Sequence, residues 1–299
     1  MNYGFIGLGN LGSKLALNLI NAGFSLTVYD KNSTLLNSLS SKGALIVNSV
    51  EELSENVDHL ITCLPSPQIS YEVAEKSLPH LTEGASWIEM STISKEDILR
   101  FAEFAKKYNV GMLELPVTGG VHLAARGKIT MLAGGDVHLF RLHYPLLQAM
   151  GDNIFHIGPI GSAAVIKVIT NMLAFIHLVA DGEALMLAKK GGLNLDIAWQ
   201  AIAASSGNSF VHETEGQLIL NGSYDIGFTM ELALKDLGFV SQFSKEFGVP
   251  LELADKVKQI FEEGKKTYGG EAQSTQVVKL LEDALNTNLR ADGYPPTLT

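Results

Sequence analysis

Cysteine is almost missing from this 299-residue chain: Cys63 is the only one, so no intrachain disulfide can form and a reducing compartment fits. It closes an apolar run beside Leu64 and Pro65 and reads as a small buried residue rather than a nucleophile. Positive charge is also scarce. Lys and Arg total 22 against 32 Asp and Glu, giving a formal charge of -10, and no run of five or more basic residues offsets it. Such a balance repels nucleic acid and anionic lipid, so neither nucleic acid nor membrane is expected as a partner. Uninterrupted apolar sequence is short. The longest stretch, Val165 to Ala180, is broken by Lys167, Thr170, Asn171 and His177, which predicts a buried helix rather than a membrane span. The first residues lack the charged start and longer apolar core of a secretory signal, so no cleavage is expected and a cytoplasmic location fits.

What is present is a globular balance, with 46% hydrophobic and 18% charged residues, enough for two domains with real cores. Tyr3 to Ile6, Leu26 to Tyr29, His59 to Leu64, Ser86 to Met90 and Gly111 to Leu115 are strand candidates separated by helical patterns. Ile129 to Ala133 and Asn153 to Ile157 extend the set. Strands spaced by helical crossovers predict an α/β Rossmann-type doubly wound parallel sheet. After Gly158-Pro159-Ile160-Gly161 the pattern turns helical throughout, which predicts an all-α C-terminal domain. The boundary is expected near residue 160, giving domains 1–160 and 161–299. A helix from Ser162 to Gly191, about 45 Å long at 1.5 Å per residue, would join them. The stretch from Asn286 onward, with Gly293, Pro295 and Pro296, reads as a loose tail.

Gly7-Leu8-Gly9-Asn10-Leu11-Gly12 follows the first strand and opens an apolar helix, as a dinucleotide fingerprint requires. Gly7 permits the tight turn, Gly9 lets backbone approach a pyrophosphate, and Gly12 lets helix and strand pack closely. The helix start offers N–H groups and partial positive charge to the phosphates. Asp30 follows the second strand, where a carboxylate can accept hydrogen bonds from the adenosine ribose; the other reading is a plain loop residue or a helix cap. No arginine occurs in the first 99 residues to meet a 2'-phosphate, which points to NAD over NADP.

Thr118-Gly119-Gly120 sets a hydroxyl and two glycines after a strand, suited equally to an anion site or a structural turn. Lys167 interrupts an apolar helix face, with Asn171 four residues on and so on the same side. Two readings stand side by side: a lysine tuned by burial for proton exchange, or one snorkelling from a helix surface. No metal site is expected.

These residues resemble the β-hydroxyacid dehydrogenases, the family of 3-hydroxyisobutyrate dehydrogenase and tartronate semialdehyde reductase. The likeness runs through Gly7 to Gly12, Leu64-Pro65, Met90-Ser91-Thr92-Ile93-Ser94, Pro116 to Gly120, Ala125-Arg126-Gly127, Lys167, Asn171, Asp181-Gly182-Glu183-Ala184 and Lys235-Asp236-Leu237-Gly238. It implies that Lys167 is the catalytic acid/base, that Asn171 and Thr118-Gly119-Gly120 bind substrate, and that Leu64, Pro65, Thr92 and Lys235 contact the cofactor. The implied substrate is a small anionic hydroxy acid or its semialdehyde. Three departures bear on which one: Thr118 replaces the usual serine, Thr170 replaces an asparagine, and Gln273 to Gln276 lacks the usual acid-serine pair. Competing readings are a same-fold reductase of another carbonyl or an imine, and a non-catalytic dinucleotide-sensing module. Lys167 argues against both. A homodimer or homotetramer is expected, because apolar residues cover most of the circumference of the helix that begins at Ser162.

Asp30 sets the first test. NAD is expected to exceed NADP at least about tenfold in kcat/KM, since a carboxylate there repels the extra phosphate. Steady-state kinetics with both cofactors decide it, and equal or better use of NADP overturns the reading of Asp30.

Overall fold

The computed structural model describes residues 1–298. The chain divides into two compact units, Met1–Lys167 and Val168–Thr299.

The first unit holds nine strands: β1 Asn2–Ile6, β2 Ser25–Tyr29, β3 Leu45–Ile46, β4 His59–Thr62, β5 Ser86–Glu89, β6 Gly111–Glu114, β7 Val117–Thr118, β8 Thr130–Gly135 and β9 Asn153–Gly158. Their order is β3-β2-β1-β4-β5-β6-β8-β7, with β9 also paired to β8. From β3 to β6 every pairing is parallel. β8 runs antiparallel to β6 and β7, and β9 lies parallel to β8. The expected doubly wound sheet is therefore present, with an antiparallel step at one side. Each strand anticipated from the sequence forms. β3 and β7 were not anticipated, because two residues carry no periodicity.

Side chains from the central strands alternate between two cores. Phe5, Ile61, Ile88 and Leu113 pack on one face, while Ile6, Leu60, Trp87 and Met112 pack on the other. Helices cover both faces, which is why β4 and β5 are buried along their whole length. The chain winds outward in both directions from β1, whose neighbours are β2 and β4. Loops leaving β1 and β4 therefore part at their carboxyl ends, and a crevice opens there for a ligand.

Helix Ser162–Lys190 begins in the first unit and continues into the second. Helices Leu195–Ala203, Phe210–Asn221, Met230–Phe247, Glu252–Tyr268 and Lys279–Ala284 follow. Their starts are set by side chains: Asn194 accepts from Ile197 N–H, Ser209 from His212 N–H and Thr229 from Leu232 N–H. Gly222 and Gly248 end two of them at φ +88° and +66°, the left-handed conformation that closes a helix cheaply only at glycine. Phe175, Leu178, Leu185, Leu220, Met230, Leu237 and Phe261 form the core of the second unit. Within it, Asp181 Oδ1 meets His212 Nδ1 at 2.5 Å, and Trp199 donates its indole N–H to the His212 carbonyl at 2.9 Å.

Two expectations are corrected. Residues 286–298 are not a loose tail, because specific side chains pin them. Leu289 is fully buried, Ala291 N–H donates to the Leu220 carbonyl, and Tyr294 Oη donates to Asp196 at 2.8 Å. Arg290 donates to the Ile219 carbonyl and the Glu282 carboxylate, both at 3.0 Å. Nor is helix Ser162–Lys190 wholly buried. It is long and apolar enough to cross a membrane by length and composition, yet only 33% of its most apolar window is buried. Ile169, Leu173 and Leu187 are exposed, because one helix has too much circumference for its neighbours to cover.

A cluster in the first unit makes folding sensitive to acid. Buried His59 and His143 pack edge to face at 4.7 Å, and Tyr3 Oη lies 3.2 Å from His143 Nδ1. Burial, aided by His59, pushes His143 down to about 4. Burial also lowers His59 against the opposing pull of Asp58. The folded state thus resists protonation that the unfolded chain accepts near its ordinary value of about 6.5. The contribution is present above that value and lost as pH falls toward about 4. Urea unfolding midpoints should drop between these pH values, and H143Q should flatten the drop; an unchanged slope in H143Q would remove His143 as its cause.

Candidate active site

The first-unit candidates gather at the carboxyl edge of the parallel strands. At the end of β1, Gly7 adopts φ +99°, and a Cβ there would lie 2.2 Å from the Cys63 carbonyl oxygen. A Cβ on Gly12 would lie 1.9 Å from the Gly7 oxygen, so strand and helix Gly12–Asn21 approach closely only without one. A Cβ on Gly9 would meet nothing within 4 Å, and Gly9 and Asn10 are exposed. No side chain caps the helix start after Leu11. This combination of open approach and backbone donors is what a pyrophosphate needs, so the loop fits a dinucleotide.

Asp30 closes β2 beside this loop. Its Oδ2 accepts from Leu8 N–H at 2.7 Å and its Oδ1 from Asn32 N–H at 2.8 Å. The carboxylate is thus oriented by backbone on both sides. Asn32, not Asp30, caps the next helix by accepting from Thr34 N–H.

Leu64, Pro65 and Thr92 follow β4 and β5, and a buried chain of hydrogen bonds supports them. Trp87 Nε1 donates to Thr62 Oγ1 at 2.7 Å, Thr62 donates to Glu89 at 2.8 Å, and Glu89 accepts from Ser91 N–H at 2.7 Å. Ser91 Oγ in turn accepts from Leu64 N–H at 2.8 Å, tying the two loops together. Burial raises Glu89 above the usual carboxylate range, opposed by its bonds to Ser91, Thr62 and Ser70. Burial, with Glu89 nearby, pushes the Cys63 thiol up to about 12, which excludes it as a neutral-pH nucleophile.

β7 extends the path of β6 along β8, so Thr118 lies beyond that same edge. Gly119 and Gly120 adopt φ +118° and +85°. The His122 ring sits against Gly120, with Cε1 and Nδ1 3.2 Å from where a Cβ would be. Burial lowers the His122 imidazole, and Arg126 lowers it further. Lys167 is only 8% exposed, in the second turn of its helix. The start of that helix is held by Glu114 at the end of β6, which accepts from Gly161, Ala163 and Ala164 N–H at 2.5, 3.0 and 2.9 Å.

In the second unit, Asn171 Nδ2 donates to Asp236 Oδ2 at 2.6 Å. Lys235 Nζ lies 3.5 Å from Asp236 Oδ1. Buried Asp236 therefore links Asn171 with Lys235, although the sequence reading gave it no role. Its signal was an acid within an apolar helix face. Glu114 and His122 were likewise unassigned. A buried acid at a strand end and a histidine beside Thr118-Gly119-Gly120 are visible in the sequence, but their partners are not.

Comparison with known proteins bears on the family and the fold. Residues 2–158 match the family model of the NAD binding domain of 6-phosphogluconate dehydrogenase. Residues 161–281 match the model described as NAD-binding of NADP-dependent 3-hydroxyisobutyrate dehydrogenase. A 2-(hydroxymethyl)glutarate dehydrogenase of Eubacterium barkeri is 30% identical, covering 93% of this chain and 94% of the relative. The mitochondrial 3-hydroxyisobutyrate dehydrogenase of Rattus norvegicus is 31% identical, covering 86% and 80%. A solved 3-hydroxyisobutyrate dehydrogenase from Salmonella typhimurium superposes with a TM-score of 0.87 at 29% identity, covering 94% of this chain and 99% of that one. With an NAD-binding domain matched over its first half and dehydrogenases aligned along nearly its whole length, the chain belongs to the β-hydroxyacid dehydrogenase family.

Proposed function

We propose that this dehydrogenase interconverts a short-chain 3-hydroxy acid, 3-hydroxyisobutyrate-like, and the corresponding semialdehyde. Lys167 is the acid/base, and Asn171 with Thr118, Gly119 and Gly120 binds the substrate. The observation that carries the reading is the placement of Lys167. It is buried on an apolar helix whose start is fixed at the sheet edge that also bears the glycine loop, Leu64 and Thr92.

Gly7 through Gly12, Asp30, Leu64, Pro65, Thr92 and Lys235 would hold the dinucleotide. Bound there, NAD supplies the hydride acceptor for oxidation and, when reduced, the donor for the reverse reaction. Lys167 Nζ takes the proton from the substrate hydroxyl during oxidation and returns it to the carbonyl oxygen during reduction. The Thr118 hydroxyl and the backbone N–H groups of Gly119 and Gly120 suit a carboxylate, and Asn171 adds an amide. The names of the relatives, one for hydroxymethylglutarate and two for 3-hydroxyisobutyrate, support a substrate bearing a carboxylate and a hydroxyl. A homodimer or homotetramer is consistent with the exposed Ile169, Leu173 and Leu187, and a cytoplasmic location with the single free cysteine.

K167A should lower turnover at least about a hundredfold, the lower range for losing a general acid/base, while NAD affinity by calorimetry changes little. A variant that keeps most of its turnover removes Lys167 from the mechanism. The anion site is tested by comparing a preferred hydroxy acid with its methyl ester. The ester should be a much poorer substrate, and equal turnover would put a neutral carbonyl or imine substrate ahead.

A further inference from the structure

We infer that Glu114 is a positioning residue for the reaction, its carboxylate fixing the first turn of helix Ser162–Lys190 and so the place of Lys167. The inference rests on the reading of Lys167 as acid/base. Helix starts leave backbone N–H groups without intrahelical partners, and a nearby Ser, Thr, Asp or Asn in the chain usually supplies the acceptor. Here the acceptor comes from another element, the carboxyl end of β6, 47 to 50 residues earlier. One oxygen takes Gly161 and Ala163, and the other takes Ala164. A bidentate grip on three amides fixes both the origin and the direction of the helix. Lys167 follows within a turn.

The surroundings are shaped around that carboxylate. Gly134 on β8 pairs with Glu114, and a Cβ there would lie 2.1 Å from Glu114 Oε1. Gly161 reaches the carboxylate with φ +95°, a conformation that favours glycine. The charged groups around it are few. Glu89 pairs with Glu114 in register from β5, the stem of Lys95 lies against Gly161, Lys167 stands on the held helix, and β8 presents Gly134 and Gly135. Glu114 is fully buried. It acts through Lys167, whose Nζ would be displaced if the first turn shifted. A misplacement of about 1 Å can cost on the order of a hundredfold in rate.

The test uses the full-length enzyme with NAD and the hydroxy acid that gives the highest turnover in a panel. E114Q keeps the size but weakens the grip, since an amide offers one acceptor oxygen in place of two. G134A leaves Glu114 intact and pushes its carboxylate aside. Each should lower kcat roughly ten- to a hundredfold, with the substrate KM and NAD affinity changed less than about threefold. The double variant should be little worse than either single one. In a K167A background, E114Q should add almost no further loss, because its effect passes through the lysine. If E114Q does not fold, G134A and E114D are read in its place, with the same split expected. Unchanged kcat in the folded variants, or a loss that persists undiminished in the K167A background, overturns the inference. Full turnover in K167A alone overturns the proposed function instead, so the two failures are distinguishable.

Discussion

A carboxylate taken wholly out of water carries a penalty of several kcal/mol unless charges or oriented dipoles replace the lost solvent. Glu114 meets that demand with three backbone amides, and the amides come from the one helix that leaves the sheet unit. Satisfying the acid and starting the helix are therefore one event. Even so, burial outweighs the amides and leaves Glu114 raised to about 7. Glu89 solves the same problem one strand away with a serine, a threonine and a backbone N–H. Two buried acids on neighbouring strand ends thus organise the loops that carry Leu64 and Thr92 and the start of the helix that carries Lys167.

The placement of chemistry follows from topology before it follows from any particular side chain. Parallel strands all end at one edge, and the direction of winding reverses at β1, so loops after β1 and β4 diverge there. Glycines at 7 and 12 then decide how closely strand and helix pack, while Gly9 leaves the approach open. β7 carries Thr118 past the same edge because it continues β6 along an antiparallel partner. In the second unit a different device operates, with Asp236 binding Asn171 and Lys235 into one polar group.

Much of this was legible in the sequence because the signals are local. The glycine spacing, the acid after β2 and the strand and helix periods each lie within a short window, and the structure reproduces them. What was not legible depends on partners distant in the chain. Glu114 looks like an ordinary strand residue until Gly161 arrives beside it, and Asp236 gains meaning only from Asn171. The tail from Asn286 was misjudged for the same reason, since its glycine and prolines are visible while the carbonyl of Ile219 waiting for Arg290 is not. Helix Ser162–Lys190 was read correctly in extent but not in burial. Hydrophobicity records what a helix can bury, not how many neighbours it has.

The two tryptophans divide between the units, Trp87 in the first and Trp199 in the second. Trp87 is fully buried and hydrogen-bonded to Thr62, whereas Trp199 stacks on the His212 ring at 5.4 Å. Their emission therefore has different origins: one indole in a rigid apolar wall, the other against an imidazole paired with a carboxylate. Each unit carries its own intrinsic fluorophore, and replacing one tryptophan by phenylalanine makes the unfolding of the other unit separately visible without any added label.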